Sequence, residues 1–155
     1  MNYVFFFAIG IGIVAGLRSL VAPAVVAWAA HFGWLNLHDS PLAFMGSTPA
    51  VAIFSIFAIG ELISDKLSMT PKRTALAPLL ARILLGGLSG ASLFGAVGKS
   101  LPAGAVLGGI GGVVGAFVGY EIRRRVVNNL HFKDLFVALC EDAVAIALAW
   151  FFVLR

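Results

Sequence analysis

Charged residues, cysteine and metal-binding histidine motifs are all scarce in this chain. Only 12% of its 155 residues are charged and 61% are hydrophobic, whereas soluble domains are about 25% charged. Together with a mean hydropathy of +1.02, this composition excludes an ordinary soluble domain and predicts one membrane domain. The single cysteine excludes an internal disulfide and a cysteine-based zinc site, and the three histidines lack metal-ligand spacing.

The net charge of +4 is small and is located in short loops. Basic residues beside membrane spans set topology and contact anionic headgroups. We therefore expect a lipid bilayer as the partner and no nucleic acid. No Lys or Arg precedes the apolar residues 3–17, and Arg18 follows them directly. We therefore interpret this stretch as part of a retained span rather than as a cleaved signal.

Five apolar segments, each near or above the roughly 20 residues that a bilayer core requires, predict an all-α, polytopic transmembrane helix bundle of about five spans. The segments cover residues 3–32, 49–65, 75–98, 102–122 and 134–154. The first is too long for one straight crossing, since a helix of that length extends about 45 Å. We expect it to tilt strongly or to break near Arg18, with Pro23 removing a backbone hydrogen bond one turn later.

Lysine and arginine in the loops predict the orientation. With five spans, one side carries Lys66, Lys72, Arg73, Arg123, Arg124, Arg125 and Lys133. The other side carries only Lys99 and Arg155. The positive-inside rule then places the first side in the cytoplasm, with the N-terminus inside and the C-terminus outside the inner membrane. A first segment that crosses twice as a hairpin moves the N-terminus outside. We expect anionic lipid headgroups near Lys72, Arg73, Arg124 and their neighbours Arg123 and Arg125.

Glycine recurs at intervals of four in the fourth apolar segment. The two series are Gly104, Gly108 and Gly112, and Gly111, Gly115 and Gly119. Small residues at this spacing let helix backbones approach closely. The pattern predicts a central helix contacted from several sides, or a homo-oligomer formed through one glycine face. No strand precedes these glycines and no phosphate-binding lysine follows, so we expect no nucleotide cofactor.

Ionisable residues within the apolar segments mark the candidate site. Insertion scales put the cost of a charge at a membrane helix centre at about 2.5–3.5 kcal/mol, so such residues pair or serve a function. Glu61 and Asp65 lie four apart on one helix face and repel each other unless a cation lies between them. The candidate substrate or ion site comprises Arg18, Ser19, Glu61, Asp65, Lys66, Arg73, Arg82, Glu141 and Asp142.

Three functions fit this pattern. In the first, a transporter-like or channel-like protein uses carboxylates for a proton or cation and arginines for an anionic solute or lipid headgroup. In the second, the ion pairs only stabilise the helix bundle. In the third, an intramembrane lipid-phosphate enzyme uses a divalent metal. The metal ligands of that enzyme would be Glu61, Asp65, Glu141 and Asp142. No catalytic triad or phosphotransferase motif accompanies them, so the enzyme is the least favoured.

Two stretches carry a distinctive pattern, GLRSLVAPAVVAW at 16–28 and GELISDKLSMTPKRTALAPLLARILLGGLSGA at 60–91. With them, the chain resembles a family of small bacterial integral membrane proteins, domain of unknown function 4126. The resemblance covers most of the chain and is most specific in the Glu-x-x-x-Asp-Lys…Pro-x-Arg-Thr run. The matching positions are Arg18, Ser19, Pro23, Glu61, Asp65, Lys66, Pro71, Arg73, Thr74 and Arg82. It implies a multi-pass membrane protein and adds no reaction.

Overall fold

A computed structural model describes residues 3–67, 75–130 and 133–155 of the chain, and all regular structure in these residues is helical. The six α-helices are α1 Tyr3–Leu17, α2 Val21–His31, α3 Thr48–Ser64, α4 Leu76–Ala96, α5 Leu101–Leu130 and α6 Asp134–Leu154. A short 3₁₀ turn at Ala43–Gly46 lies between α2 and α3. The all-α fold that the sequence predicts is therefore present.

The first apolar segment has the broken form. The helical hydrogen bonds of α1 end with the Arg18 amide donating to the Val14 carbonyl at 2.7 Å, and those of α2 begin with the Ala24 amide donating to the Leu20 carbonyl at 3.1 Å. Pro23 accounts for the break because it has no amide hydrogen and its ring clashes with the carbonyl of the residue four positions earlier. Residues 18–20 form the turn, which we call the hairpin tip.

The outer ends of the two hairpin arms, the start of α1 and the end of α2, lie at the same end of the bundle. Near the start of α1, the Phe5 ring packs edge-on against Phe94 near the end of α4, with 5.3 Å between centroids. Just after α2, Leu37 lies beside Gly95, also near the end of α4. The hairpin tip instead lies beside Arg82, near the start of α4. The chain therefore returns in α2 to the end from which α1 starts.

The other helices continue this alternation. α3 runs back towards the hairpin tip, since Ser55 accepts a 3.0 Å bond from the Trp28 ring nitrogen and Glu61 contacts the tip itself. α4 leads away from the tip, α5 returns, and α6 leads away again, so that Phe152 packs beside Phe7. The end that holds the hairpin tip also carries the basic residues Lys66, Arg123, Arg124, Arg125 and Lys133. We call it the basic end.

Among the described residues, three helices, α4, α5 and α6, are long and apolar enough to cross a membrane. The apolar helices α1, α2 and α3 are shorter, at 15, 11 and 17 residues. α6 has the predicted bounds, whereas α5 has 30 residues and continues past the predicted end at residue 122. At 1.5 Å per residue it extends about 45 Å, and Arg123 in its later part contacts Asp134 at the start of α6.

Glycine lets α5 lie in backbone contact with α1 and α4. A Cβ atom on Gly12 of α1 would overlap the carbonyl oxygen of Gly108 on α5. A Cβ on Gly86 of α4 would lie 2.7 Å from the same oxygen, which no real Cβ contact allows. Nearer the basic end, Gly16 meets Gly112 in the same way. Close backbone approach through small residues is how helices associate where water supplies no hydrophobic drive.

Candidate functional site

Glu61 of α3 closes the start of α2. Its Oε1 accepts hydrogen bonds from the Ser19 amide at 2.8 Å and the Ser19 hydroxyl at 2.6 Å, and its Oε2 accepts from the Leu20 amide at 2.8 Å. The first amides of a helix have no partner within the helix, and a carboxylate there also meets the positive end of the helix dipole. Leu20, which precedes α2, supplies no side-chain cap of its own. Glu61 therefore caps α2 from another helix by satisfying the two backbone amides that immediately precede it.

Arg82 of α4 closes the end of α1. Its Nη1 donates to the Gly16 carbonyl at 2.7 Å and to the Leu17 carbonyl at 3.4 Å. A cation is favourable at the last carbonyls of a helix, which lack intrahelical partners. The Arg82 residue is 4% exposed. Both of these bonds go to the backbone of the hairpin.

Arg18 is fully buried at the hairpin tip, between carboxylates of two other helices. Its Nη1 donates to Oδ2 of Asp65, just after α3, and its Nη2 forms an ion pair with Oδ1 of Asp142 on α6. Glu141 Oε2 lies 4.0 Å from Nη2. The Lys66 ammonium donates a 2.8 Å bond to the other Asp142 oxygen. We call these five residues the Arg18 cluster.

Glu141 connects the Arg18 cluster to the surface of the basic end. Its Oε2 lies 3.7 Å from Nη1 of Arg123 on α5. The Arg123 guanidinium also donates two bonds, of 3.0 and 2.8 Å, to the carboxylate of Asp134 at the start of α6. The Asp134 side chain is 60% exposed. Alternating charges thus lead from a fully buried arginine to a solvent-facing carboxylate.

A family model described as "Domain of unknown function (DUF4126)" matches residues 5–154. The chain belongs to the DUF4126 family. The resemblance predicted from the sequence is confirmed, and the match includes the hairpin tip, both helix caps and the Arg18 cluster. Neither a curated protein nor a solved structure matches this DUF4126 chain.

The predicted site residues of this DUF4126 chain gather around the hairpin tip but act in two ways. Ser19, Glu61 and Arg82 bond or cap the broken backbone. The members of the Arg18 cluster pair charge with charge, and Arg18, Asp65, Lys66, Glu141 and Asp142 form that group. Arg73, also predicted for the site, and Lys72 lie outside the described residues.

The role of Arg123 escaped the sequence-based prediction, which placed it only among lipid-facing cations. It contacts Glu141 because α5 continues past residue 122, so that its last turns run beside α6. The predicted segments ended at residue 122 and resumed at residue 134, so Arg123 fell in the predicted connection rather than on a helix, and the apolar pattern gave no signal for its partner.

The carboxylates do not surround a common space. Asp65 and Asp142 both face the Arg18 guanidinium between them, and Glu61 faces the backbone of the hairpin tip. Within residues 3–67, 75–130 and 133–155, no group of three or more His, Cys, Asp or Glu side chains is arranged to hold a metal ion.

Proposed function

We propose that this DUF4126 protein is a small transporter-like or channel-like protein of the cytoplasmic membrane. In it, the Arg18 cluster is the site for a small ion, a polar solute or an anionic headgroup. One observation carries the proposal. Arg18 is fully buried at a break between two helices and lies between the carboxylates Asp65 and Asp142 from two other elements.

The placement in a membrane rests on the outer surface of the bundle and on its charge. Besides three helices of spanning length, large apolar side chains such as Ile56, Leu84 and Val106 are more than 60% exposed. Aromatic residues gather at the end opposite the basic end, where Trp34 packs against Trp150 with 5.7 Å between ring centroids. Basic residues favour the cytoplasmic side and tryptophan favours the interface. We therefore assign the basic end to the cytoplasm.

The hairpin favours transport over a plain bundle. At 1.5 Å per residue, α1 extends about 22 Å and α2 about 16 Å, short of the roughly 30 Å core. Entering from the opposite side, the hairpin tip therefore reaches the basic end of the bundle but stops within the hydrocarbon core, short of the cytoplasmic headgroups. Broken helices at such depth are tolerated only where protein or a watery cavity covers the freed backbone. In many transporters the ends of such half-helices form the substrate site.

The helix caps and the Arg18 cluster differ in whether the backbone requires them. The backbone break requires its caps, Glu61 and Arg82, since buried amides and carbonyls without partners are costly. Nothing in the backbone requires the Arg18–Asp65–Asp142 pairing. Buried ion pairs rarely stabilise a protein more than apolar side chains of the same volume do. The Arg18 cluster is therefore better explained by function than by stability.

The chemistry of the cluster suits exchange of partners. A guanidinium binds a carboxylate or phosphate with two parallel hydrogen bonds, so an anionic solute competes with Asp65 or Asp142 for Arg18. A carboxylate released in this way accepts a proton or a cation. Lys66, whose side chain is 25% exposed, holds the second oxygen of Asp142 and connects this exchange to the cytoplasmic side.

Flux through reconstituted protein tests the proposal. Liposomes containing the purified chain and a trapped pH dye are given a potassium diffusion potential of either sign, with chloride and radiolabelled phosphate uptake measured in parallel. We expect faster flux than in empty liposomes for at least one of these ions, and loss of that flux in Asp142→Asn. Glu121→Gln on the exposed part of α5 is the matched control and keeps the flux. The proposal is contradicted if the flux of protons, chloride and phosphate into liposomes with the wild-type protein is no faster than into empty liposomes.

A structural role is the second candidate, and the pairing of charges within the Arg18 cluster favours it. Arg18 and Lys66 together balance the charges of Asp65 and Asp142, and the caps satisfy the broken backbone. In a purely structural protein, Arg18→Asp lowers stability and Asp65→Arg in the same chain restores it. In a transporter the double variant regains its fold but not its flux.

A further inference from the structure

The space between α5 and α6 near the basic end is an open cleft. The two helices are consecutive in the chain, yet α5 packs extensively against α1 and α4 and only slightly against α6. The gap that remains has a volume of about 340 Å³. We call it the α5–α6 cleft, and its size is within the range of roughly 300–1,000 Å³ that small-molecule sites occupy.

The walls of the cleft are apolar. Ile122 and Val126 of α5 line it together with Phe136, Val137 and Val144 of α6. Ile122, Phe136 and Val144 are each more than half exposed. Large apolar side chains around an apolar gap indicate an apolar occupant.

The turns of α5 and α6 at the basic end of the cleft carry a small surplus of positive charge. Arg124 and Arg125 are exposed and share one carboxylate, Glu121, at 3.8 and 2.7 Å. Lys133, also exposed, immediately precedes α6. Arg123 is paired with the carboxylates of Asp134 and Glu141. Four basic side chains against three carboxylates leave this end with one net positive charge. A second copy of the chain related by a twofold axis would bring the same positive charges together, so charge disfavours a dimer here.

The length of the cleft matches one leaflet. From Phe136 to Val144, α6 rises about 12 Å at 1.5 Å per residue. Half of the roughly 30 Å hydrocarbon core is about 15 Å. An acyl chain whose headgroup lies at the basic end therefore reaches about as far into the bilayer as the apolar walls of the cleft do.

We propose that the α5–α6 cleft binds one acyl chain of an anionic phospholipid, whose headgroup lies near Lys133 at the basic end, where Arg124 and Arg125 add to the positive potential. The apolar walls bind the chain, and the surplus positive charge selects the headgroup. The inner wall of the cleft includes Glu141, so a bound lipid lies beside the Arg18 cluster. The binding itself does not depend on whether that cluster transports anything.

Cys140 provides a direct measurement. It is the single cysteine of the chain, is exposed and lines the cleft. The rate of its modification by N-ethylmaleimide is followed by mass spectrometry on purified protein in detergent, while dioleoyl phosphatidylglycerol is titrated in. We expect the rate to fall about tenfold at a free lipid concentration of about ten times Kd, since the unoccupied fraction is 1/(1 + [L]/Kd). Dioleoyl phosphatidylcholine at the same concentrations protects less.

Matched variants separate the cleft from general lipid effects. Val106→Cys in a Cys140→Ala chain places the thiol on an exposed face of α5 away from the cleft, and phosphatidylglycerol does not protect it. Val144→Phe fills the cleft, and the ratio of rates with and without lipid returns to one. Val126→Phe gives the same comparison if the first variant does not fold. Lys133→Gln weakens phosphatidylglycerol binding about fivefold, whereas Lys99→Gln at the opposite end leaves it unchanged.

Several results would overturn the proposal. Absence of protection by phosphatidylglycerol removes the site, and equal protection by phosphatidylcholine removes the role of the anionic headgroup. Equal protection of Val106→Cys shows a bulk effect of lipid rather than binding in the cleft. Protection by oleate at the same concentration assigns the cleft to free fatty acid, and protection that appears only with dimers in light scattering assigns it to a second copy of the chain.

Discussion

The carboxylate of Glu61 bonds both the hydroxyl and the backbone amide of Ser19, at 2.6 and 2.8 Å. A side chain of α3 thereby accepts hydrogen bonds from backbone amides at the break between α1 and α2. Arg82 of α4 in turn donates to the last carbonyls of α1. The hairpin therefore depends on two charged residues from elsewhere in the chain, because a break inside an apolar bundle persists only when its backbone groups are satisfied.

Removing the Glu61 carboxylate should destabilise the hairpin. We expect Glu61→Ala to lower the free energy of unfolding by about 2–4 kcal/mol, since two backbone amides lose their acceptor and each unsatisfied group costs about 1–3 kcal/mol. Glu61→Gln keeps one acceptor oxygen and should recover about half of the loss. Unfolding of detergent-solubilised protein, followed by tryptophan fluorescence, measures both. Glu121→Ala on the exposed part of α5 is the control, and equal stability of the two alanine variants would refute the capping role.

Arg82 should be replaceable only by another donor. Arg82→Met keeps a similar length but loses the bonds to Gly16 and Leu17, and we expect a loss of about 1.5–3 kcal/mol, the range for hydrogen bonds to charged groups. Arg82→Lys should recover part of this, because its ammonium can reach one carbonyl. The same unfolding assay applies, with Leu84→Met on the exposed side of α4 as control. An Arg82→Met protein as stable as this control would show that the bonds contribute nothing.

Two glycines of equal chemistry should differ in their tolerance of a methyl group. Gly108 lies in backbone contact with both Gly12 and Gly86, whereas nothing lies within 4 Å of a Cβ on Gly60. We expect Gly108→Ala to cost about 1–3 kcal/mol or more through overpacking. Gly60→Ala, in the interior of α3, should not destabilise the protein and gains up to about 1 kcal/mol of helix propensity. Unfolding midpoints of the two variants give the comparison, and a destabilised Gly60→Ala would contradict the packing described.

Loss of the buried guanidinium should be reversible by removing its carboxylate partners. Arg18→Met leaves the buried Asp142 and the partly buried Asp65 without their shared cation, and we expect a cost of about 3–5 kcal/mol. Adding Asp65→Asn and Asp142→Asn to the same chain should restore at least half of that stability. Arg124→Met, on the exposed part of α5, should change stability little. If the triple variant is no more stable than Arg18→Met alone, the charges of these three residues are not coupled.

The returning hairpin makes a prediction about topology. In a Cys140→Ala chain, Tyr3→Cys and Arg155→Cys should both react with an impermeant thiol reagent from the non-cytoplasmic side of the membrane. Arg125→Cys should react only from the cytoplasmic side, because basic residues favour that side. Reaction of Tyr3→Cys and Arg155→Cys from opposite sides would show that α1 and α2 cross the membrane together as one span.

The helices themselves could be predicted from the sequence because their signal is local. Long apolar runs punctuated by proline and short polar connections predicted α3, α4 and α6 to within a few residues. Pro23, close behind Gly16 and Arg18, indicated where the first segment is weak. The end of α5 was missed because charged residues beyond 122 interrupt the apolar pattern without ending the helix.

The roles of the polar residues were not local and could not be predicted in the same way. Spacing along the chain showed that Glu61, Arg82 and Asp142 stand in apolar surroundings, but it did not distinguish a cap from an ion-pair partner. That distinction depends on which backbone groups the break leaves exposed, and on which side chains the packing of α3, α4 and α6 brings to them.

By itself, then, the sequence determined that this is an apolar helical protein with rare, costly charges at defined positions, because composition and hydrophobic run length need no knowledge of contacts. Only the tertiary structure decided that the first segment folds back on itself and that Arg18 lies between Asp65 and Asp142. Those charges stand far apart along the chain, and the glycine contacts of α5 with α1 and α4 help to set how the helices that carry them pack.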